Sequence, residues 1–201
     1  MSIKIIPQKL LFVVSAPSGA GKSSIVKTVV QNMPGLDFSI SSTTRPPRKD
    51  EKDGVNYNFL SRDEFQKKIS DGDFLEYAQV YNEFYGTRGD IVDGILRKGK
   101  DVIMDVDVQG ALNIKNQRDD AVLIYIFPPS LQDLHKRLVL RDKDSPEEIE
   151  RRVNCARDEM KHAGKYHYAI INNDFHRAVE ELSSIIRAER GCVERLKIEL
   201  D

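Results

Sequence analysis

The chain reads as an α/β protein, a mostly parallel core sheet covered by helices on both faces. Three observations predict this. Apolar runs at residues 10–14, 102–107, 121–127 and 168–171 alternate with segments of helical spacing, and they are too continuous for a sheet with one wet face. A Gly- and Ser-rich turn joins the first run to a helix-like segment. Residues 41–87 carry short strands and aromatic residues without a crossover helix, which marks an inserted mixed α+β subdomain rather than another βαβ unit.

At 201 residues with a net charge of -1 and 31% charged residues, the chain is long enough for one buried core and lacks a basic, nucleic-acid-coating surface. Any anion site is therefore local. Cys155 and Cys192 lie far apart without CxxC spacing, against a zinc site or a disulfide framework. A reducing, cytoplasmic setting is expected. Lys4 and Lys9 before an apolar run ending in Val14-Ser15-Ala16 imitate a signal peptide, but the run is short and cleavage there would remove the strand that carries the Gly-rich turn. No stretch approaches the roughly 18 apolar residues of a membrane span, so neither a membrane nor a nucleic acid is expected as partner.

The first element carries the chemistry. Leu10-Leu11-Phe12-Val13-Val14 reads as a strand, Ser15 to Ser24 as a loop, and Ile25, Val26, Val29 and Val30 as the apolar face of a helix. A loop that wraps a polyphosphate needs small residues so that backbone N–H groups face inward, a Lys to reach the β- and γ-phosphates and a hydroxyl for Mg²⁺. Gly19, Gly21, Lys22 and Ser23 meet those needs, and the following helix adds its positive end. The usual pattern has Gly where this chain has Ala16, the smallest replacement.

Pro34-Gly35 closes that helix, and residues 37–41 read as a short strand. In the Pro-stiffened loop that follows, Arg45 and Arg48 stand three apart beside hydroxyls, equally readable as a phosphate clamp or as a solvated loop. Residues 55–60 alternate as a strand, Ser61 with Glu64 forms a capping-box signal for a helix through about Ser70, and Asp71-Gly72 ends it. Residues 74–81 form another strand with Glu76 and Tyr77 on opposite faces, and Asn82-Glu83 is a hairpin turn before Phe84 and Tyr85.

Helical spacing resumes over 86–99, and the strand at 102–107 ends in Asp105 and Asp107. An acidic residue at such a strand end in a phosphate-loop fold stands near the metal and its waters. The strand at 121–127 stops at Pro128-Pro129, and Ser130 with Asp133 opens a helix that shows Arg137 and then Arg141. Ser145-Pro146-Glu147-Glu148 starts another, ending near Gly164 and bearing Arg151, Arg152 and Arg157. These basic faces fit either a solvated surface or a mobile cover over polyphosphate. Residues 168–171 form a last core strand, and Asn172-Asn173-Asp174 caps a final helix with Ala178, Leu182, Ile185 and Ile186 inward. His135, His162, His167 and His176 show no ligand spacing and read as structural or surface residues.

Taken together, SAPSGAGKSS (15–24), SSTTRPPR (41–48), YNF (57–59), FLEY (74–77), Phe84-Tyr85-Gly86-Thr87, DVDVQG (105–110), PPS (128–130) and INND (171–174) resemble the guanylate kinases over nearly the whole chain. The resemblance implies the P-loop nucleoside monophosphate kinase fold. Core segments would lie at 1–40, 88–129 and 165–201, a GMP-binding subdomain at 41–87 and a helical lid at 130–164. It implies transfer of the γ-phosphoryl of ATP to GMP, with ATP and GMP as small-molecule partners and Mg²⁺ as cofactor.

By position, Ala16, Pro17, Ser18, Gly19, Ala20, Gly21, Lys22, Ser23, Ser24 and Asn172 would bind ATP, and Ser23 and Asp105 the metal. Arg45, Arg48, Tyr57 and Tyr85 would hold the GMP phosphate, and Ser41, Glu76 and Thr87 would read guanine, with Asp105 and Asp107 beside the acceptor. Lys22, Arg45, Arg48, Arg137, Arg141 and Arg152 would carry catalysis. Two departures stand out: Asp142-Lys143-Asp144 where many relatives have Gly, and Asn173 where relatives often have Asp. The rival readings are a non-catalytic guanylate-kinase-like module that binds phosphopeptides, and a kinase for another phosphorylated acceptor.

Overall fold

The computed structural model describes residues 3–80, 82–140 and 145–200. Ile3–Pro7 forms β1, Leu11–Ser15 β2, Lys22–Asn32 α1 and Leu36–Phe38 β3. Ser42–Thr43 is β4, Asn58–Phe59 β5, Arg62–Ser70 α2, Phe74–Val80 β6 and Glu83–Arg88 β7. Gly89–Arg97 is α3, Asp101–Asp105 β8, Val108–Gln117 α4, Ala121–Phe127 β9, Leu131–Val139 α5 and Pro146–Met160 α6. Tyr168–Ile171 is β10, Phe175–Gly191 α7 and Leu196–Leu200 β11.

The four apolar runs, with β3 added at one edge, assemble into a five-stranded parallel sheet in the order β10-β9-β2-β8-β3. Strand β2 lies in the middle, buried along its whole length. Its side chains alternate between faces as a strand requires. Phe12 and Val14 pack with Ile25 and Val29 of α1 and Leu182 and Ile186 of α7. Leu11 and Val13 face Val92 of α3 and Ala111 and Ile114 of α4. Each such side chain removed from water contributes about 1.5–3 kcal/mol, which fixes the strand end from which the phosphate loop departs.

A separate four-stranded sheet, ordered β5-β4-β7-β6, occupies the inserted region. Helix α2 covers it, with Phe65 stacked on Phe74 at 4.3 Å and on Phe84 at 5.4 Å. The capping box at its start is formed in both directions, Glu64 N–H to Ser61 and Ser61 N–H to Glu64. Helices α5 and α6 pack through Leu134, Leu138, Ile149, Val153 and Ala156 as a small cluster of their own.

Several boundaries differ from the sequence reading. The strand expected at 55–60 shortens to Asn58–Phe59, because residues 52–56 turn around Gly54 at φ 69° and leave Val55 65% exposed. The strand expected at 37–41 ends at Phe38. The helix expected from Gly86 begins at Gly89, since Gly86 to Arg88 complete β7 and Gly86 lies opposite Ser42 and Tyr77. Helix α6 ends at Met160, followed by a 3₁₀ turn over Ala163–Lys165 rather than more α-helix. The antiparallel ribbon of β1 with β11 was not anticipated; its partners are far apart in sequence, and neither segment carries a turn signal that points to the other. Tyr81, Arg141 and Asp142-Lys143-Asp144 lie outside the described residues. No helix among the described residues is long and apolar enough to cross a membrane.

Candidate active site

The loop between β2 and α1 is held open by two glycines in the left-handed region, Gly19 at φ 97° and Gly21 at φ 94°. Both also lack room for a side chain. A Cβ on Gly19 would come within 2.9 Å of Leu134 Cδ1 in α5, and one on Gly21 within 2.6 Å of Asn172 Nδ2. Asn172 is buried and donates to the Ala20 carbonyl at 2.7 Å, so its amide is a strut under the loop. Gly21 caps α1 without a side-chain hydrogen bond, which leaves first-turn N–H groups to meet an anion. Residues Ala16, Pro17, Ser18, Gly19, Gly21, Lys22, Ser23 and Ser24 line a cleft of about 330 Å³, together with Asp107 and Glu159.

Of the two acidic residues expected at the end of the strand over 102–107, Asp105 closes β8 and Asp107 lies beyond it as the N-cap of α4. Asp105 Oδ2 accepts from Ser23 Oγ at 2.9 Å. Asp107 caps α4, its Oδ1 accepting from the Gly110 N–H at 2.7 Å. A hydroxyl and a carboxylate, both hard oxygen donors, at the mouth of a phosphate loop suit a cation that keeps several waters and takes its other ligands from phosphate. Among the described residues there is no cluster of three or more His, Cys, Asp or Glu side chains able to hold a metal, so any ion there would lean on Ser23, Asp105 and the bound nucleotide.

A second cleft, of about 310 Å³, opens on the other side of Lys22 and is lined by Ser41, Tyr57, Glu76, Tyr85, Asp105 and Asp107 among others. Lys22 belongs to both clefts, its Nζ resting on the Val106 carbonyl at 2.9 Å. Glu76 is only 9% exposed and accepts from Thr87 Oγ1 at 2.7 Å. Burial pushes its pKa up to about 7, opposed by the Thr87 hydrogen bond and raised further by Asp107. At neutral pH it is therefore poised between carboxyl and carboxylate.

Burial also raises the Tyr57 phenol, with Tyr85 adding to the shift, so it stays a hydrogen-bond donor. The two rings meet edge to face at 6.0 Å. Arg45 lies over Tyr57, 5.6 Å from the ring centre, and pairs through Nη2 with both Glu51 oxygens at 2.8 Å. Glu51 also accepts from the Arg48 N–H at 2.8 Å, and this backbone bond, ahead of Arg45, lowers its pKa. Glu51 thus places a carboxylate against the Arg45 guanidinium and the Arg48 N–H, a residue the sequence reading passed over. Its signal was an acidic side chain six positions after Arg45.

The cover brings cations to the phosphate loop. Arg137 in α5 donates to the Asn172 carbonyl at 3.0 Å and reaches the Ala20 carbonyl at 3.4 Å, and Arg152 in α6 donates to Ser18 Oγ. Arg151 instead pairs with Glu148 one turn away. Glu159, also unforeseen, enters the same cleft half-buried, and burial followed by the Asp107 charge raises its pKa. Of the histidines, His167 accepts through Nδ1 from the Leu123 N–H at 3.0 Å, His135 sits 3.2 Å from Glu150, and His176 meets the Phe175 ring edge to face at 5.6 Å.

The guanylate kinase family model matches residues 8–189. A guanylate kinase of Clostridium perfringens is 43% identical over 94% of this chain and 87% of its own length. One of Hydrogenovibrio crunogenus is 49% identical over 90% of this chain and 88% of its own. The crystal structure of guanylate kinase from Anaplasma phagocytophilum superposes with a TM-score of 0.77 at 29% identity, covering 96% of this chain and 92% of that one.

Proposed function

Since the chain belongs to the guanylate kinase family, we propose that it transfers the γ-phosphoryl group of ATP to GMP, and to dGMP, giving ADP and the nucleoside diphosphate. The observation that carries this reading is the meeting of two clefts at Lys22 and Asp107. One is walled by the phosphate loop and the other by a buried carboxylate with a Thr partner. A donor and an acceptor phosphate entering from either side would meet end to end at Lys22.

Guanine presents N1–H and N2–H₂ on one edge, and the Glu76 carboxylate can accept from both, with Ser41 and Thr87 beside it. Adenine offers no such pair and would leave the second oxygen of the buried Glu76 carboxylate without a donor, a mismatch worth roughly 10⁴ in discrimination. Arg45, Arg48, Tyr57 and Tyr85 hold the acceptor phosphate by charge and hydroxyl donors. That phosphate is already ionised near neutral pH, so no general base is needed. The barrier lies in bringing two anions together.

Lys22 and the loop N–H groups on the donor side, with Arg137, Arg141 and Arg152 from the cover, offset that repulsion and align the groups. Asp107 holds the start of α4 at the junction, and Asp105 faces the metal side with Ser23. Mg²⁺, when bound there, neutralises β- and γ-phosphate charge. We assign residues 130–164 as a lid that closes over 41–87 and excludes water, the remainder being the core, and the cytoplasm as the compartment. A non-catalytic phosphopeptide module would have no use for Lys22, Ser23, Arg137 and Arg152 at the loop.

The test is a coupled ADP-release assay with ATP and Mg²⁺, offering GMP, AMP, UMP and CMP separately. Turnover on GMP far above the other three is expected. Turnover on none, with GMP still bound, would bring the binding-module reading forward.

A further inference from the structure

The base-reading carboxylate has a neighbour that the reaction does not otherwise use. Gly110 lies in the first turn of α4, buried, with its N–H donated to Asp107. Its φ is not in the left-handed region, unlike those of Gly19 and Gly21, so backbone conformation does not ask for glycine there. Space does. A Cβ on Gly110 would stand 2.9 Å from Glu76 Oε2, 3.2 Å from Glu76 Cγ and 3.3 Å from Asp107 Oδ1.

The other Glu76 oxygen is already tied to Thr87 at 2.7 Å. The carboxylate is thus held between a hydroxyl on β7 and the bare first turn of α4. The three atoms nearest to a methyl group inserted on the α4 side all belong to the side chains of Glu76 and the cap residue Asp107.

We propose that Gly110 is a specificity-positioning residue: the absence of a side chain at this point of α4 sets where the Glu76 carboxylate lies, and so how strictly the acceptor cleft distinguishes guanine from other purines. This rests on the reading of Glu76 as the base reader. A purely structural role makes a different forecast: a glycine required only for packing would lose stability in Gly110→Ala, although Ala is the better helix former, and recognition would be untouched.

The experiment measures kcat and KM for GMP and for IMP, which lacks the 2-amino group, in the parent protein, Gly110→Ala, Glu76→Asp, Glu76→Gln and the Gly110→Ala/Glu76→Asp pair, with melting temperatures for all. Gly110→Ala is expected to raise KM for GMP roughly 10- to 100-fold, the range for a misplaced hydrogen bond to a charged group, with a smaller change in kcat. The preference for GMP over IMP should narrow and the melting temperature hold or rise. In the Glu76→Asp background the carboxylate is withdrawn by one methylene, and the same Gly110→Ala change should cost less than about threefold, the non-additivity of two groups in contact.

An equal cost in both backgrounds, or an unchanged KM for GMP in Gly110→Ala, overturns the proposal. Parent-like GMP preference in Glu76→Gln would instead overturn the base-reading role on which it stands.

Discussion

The phosphate loop and the acceptor cleft share Lys22 yet are built by different means. The loop is one continuous segment whose shape is fixed by backbone conformation and close packing: glycines at positive φ, Leu134 against Gly19, and Asn172 under Ala20. The acceptor cleft is gathered from the end of β3, Ser41 just before β4, the loop ahead of β5, β6, β7 and the end of β8. Side-chain pairs hold it, among them Arg45 with Glu51, Thr87 with Glu76 and Thr44 with Glu83. A site set by backbone fails when its shape is strained. A site set by carboxylates fails when charge or pH changes.

The largest separation of the two comes from Lys22→Met. Its ammonium makes one described hydrogen bond, to Val106, so the fold should hold. Removing a charge at the transferring phosphate should still lower kcat by roughly 10³. Steady-state kinetics with a melting curve would check this, and a matching loss of stability would mean that Lys22 is part of the scaffold.

Gly21→Ala tests the backbone side. The left-handed φ costs about 1–2 kcal/mol for a residue with a Cβ, and the contact with Asn172 adds to it. A fall in melting temperature of about 3–8 °C is expected for a chain of this size. A change under 1 °C would show that the loop adjusts freely.

How much of this was legible in sequence follows the same division. The phosphate loop could be read because its residues are contiguous and each type answers one demand of a polyphosphate. The core strands could be read because burial on both faces writes an unbroken apolar run. The limits of β5 and the start of α3 could not, since Gly54 and Gly86 look alike in sequence while one turns the chain and the other completes a strand. Glu51 and Glu159 were passed over, and Gly110 was read only as part of the motif at 105–110, for a related reason. Their importance lies in what they meet across the fold, and no spacing records that Glu51 reaches back to Arg45 or that Gly110 lies against Glu76.

Ser61→Ala gives a smaller effect, confined to the inserted region. Loss of the capping box should cost about 1 kcal/mol, visible in urea unfolding, with KM for GMP unchanged. An altered KM would mean that α2 steers the cleft directly.

The smallest effect is a titration. Because burial raises the Glu76 pKa to about 7, the carboxylate form on which the proposed guanine contact depends is lost as pH falls through that value. Taking the apparent affinity as proportional to the ionised fraction, KM for GMP should be about fourfold higher at pH 6.5 than at pH 8. Glu76→Gln should flatten the profile, and an unchanged slope in that variant would assign the titration to another group.

The most direct test of the division between the two sides is calorimetric titration of GMP and of a non-hydrolysable ATP analogue into Glu76→Ala and Lys22→Met. Glu76→Ala should lose most of its GMP affinity and bind the ATP analogue as the parent does, while Lys22→Met should keep GMP binding and weaken the analogue. Equal weakening of both ligands in both variants would contradict it, and would make the two clefts one undivided site.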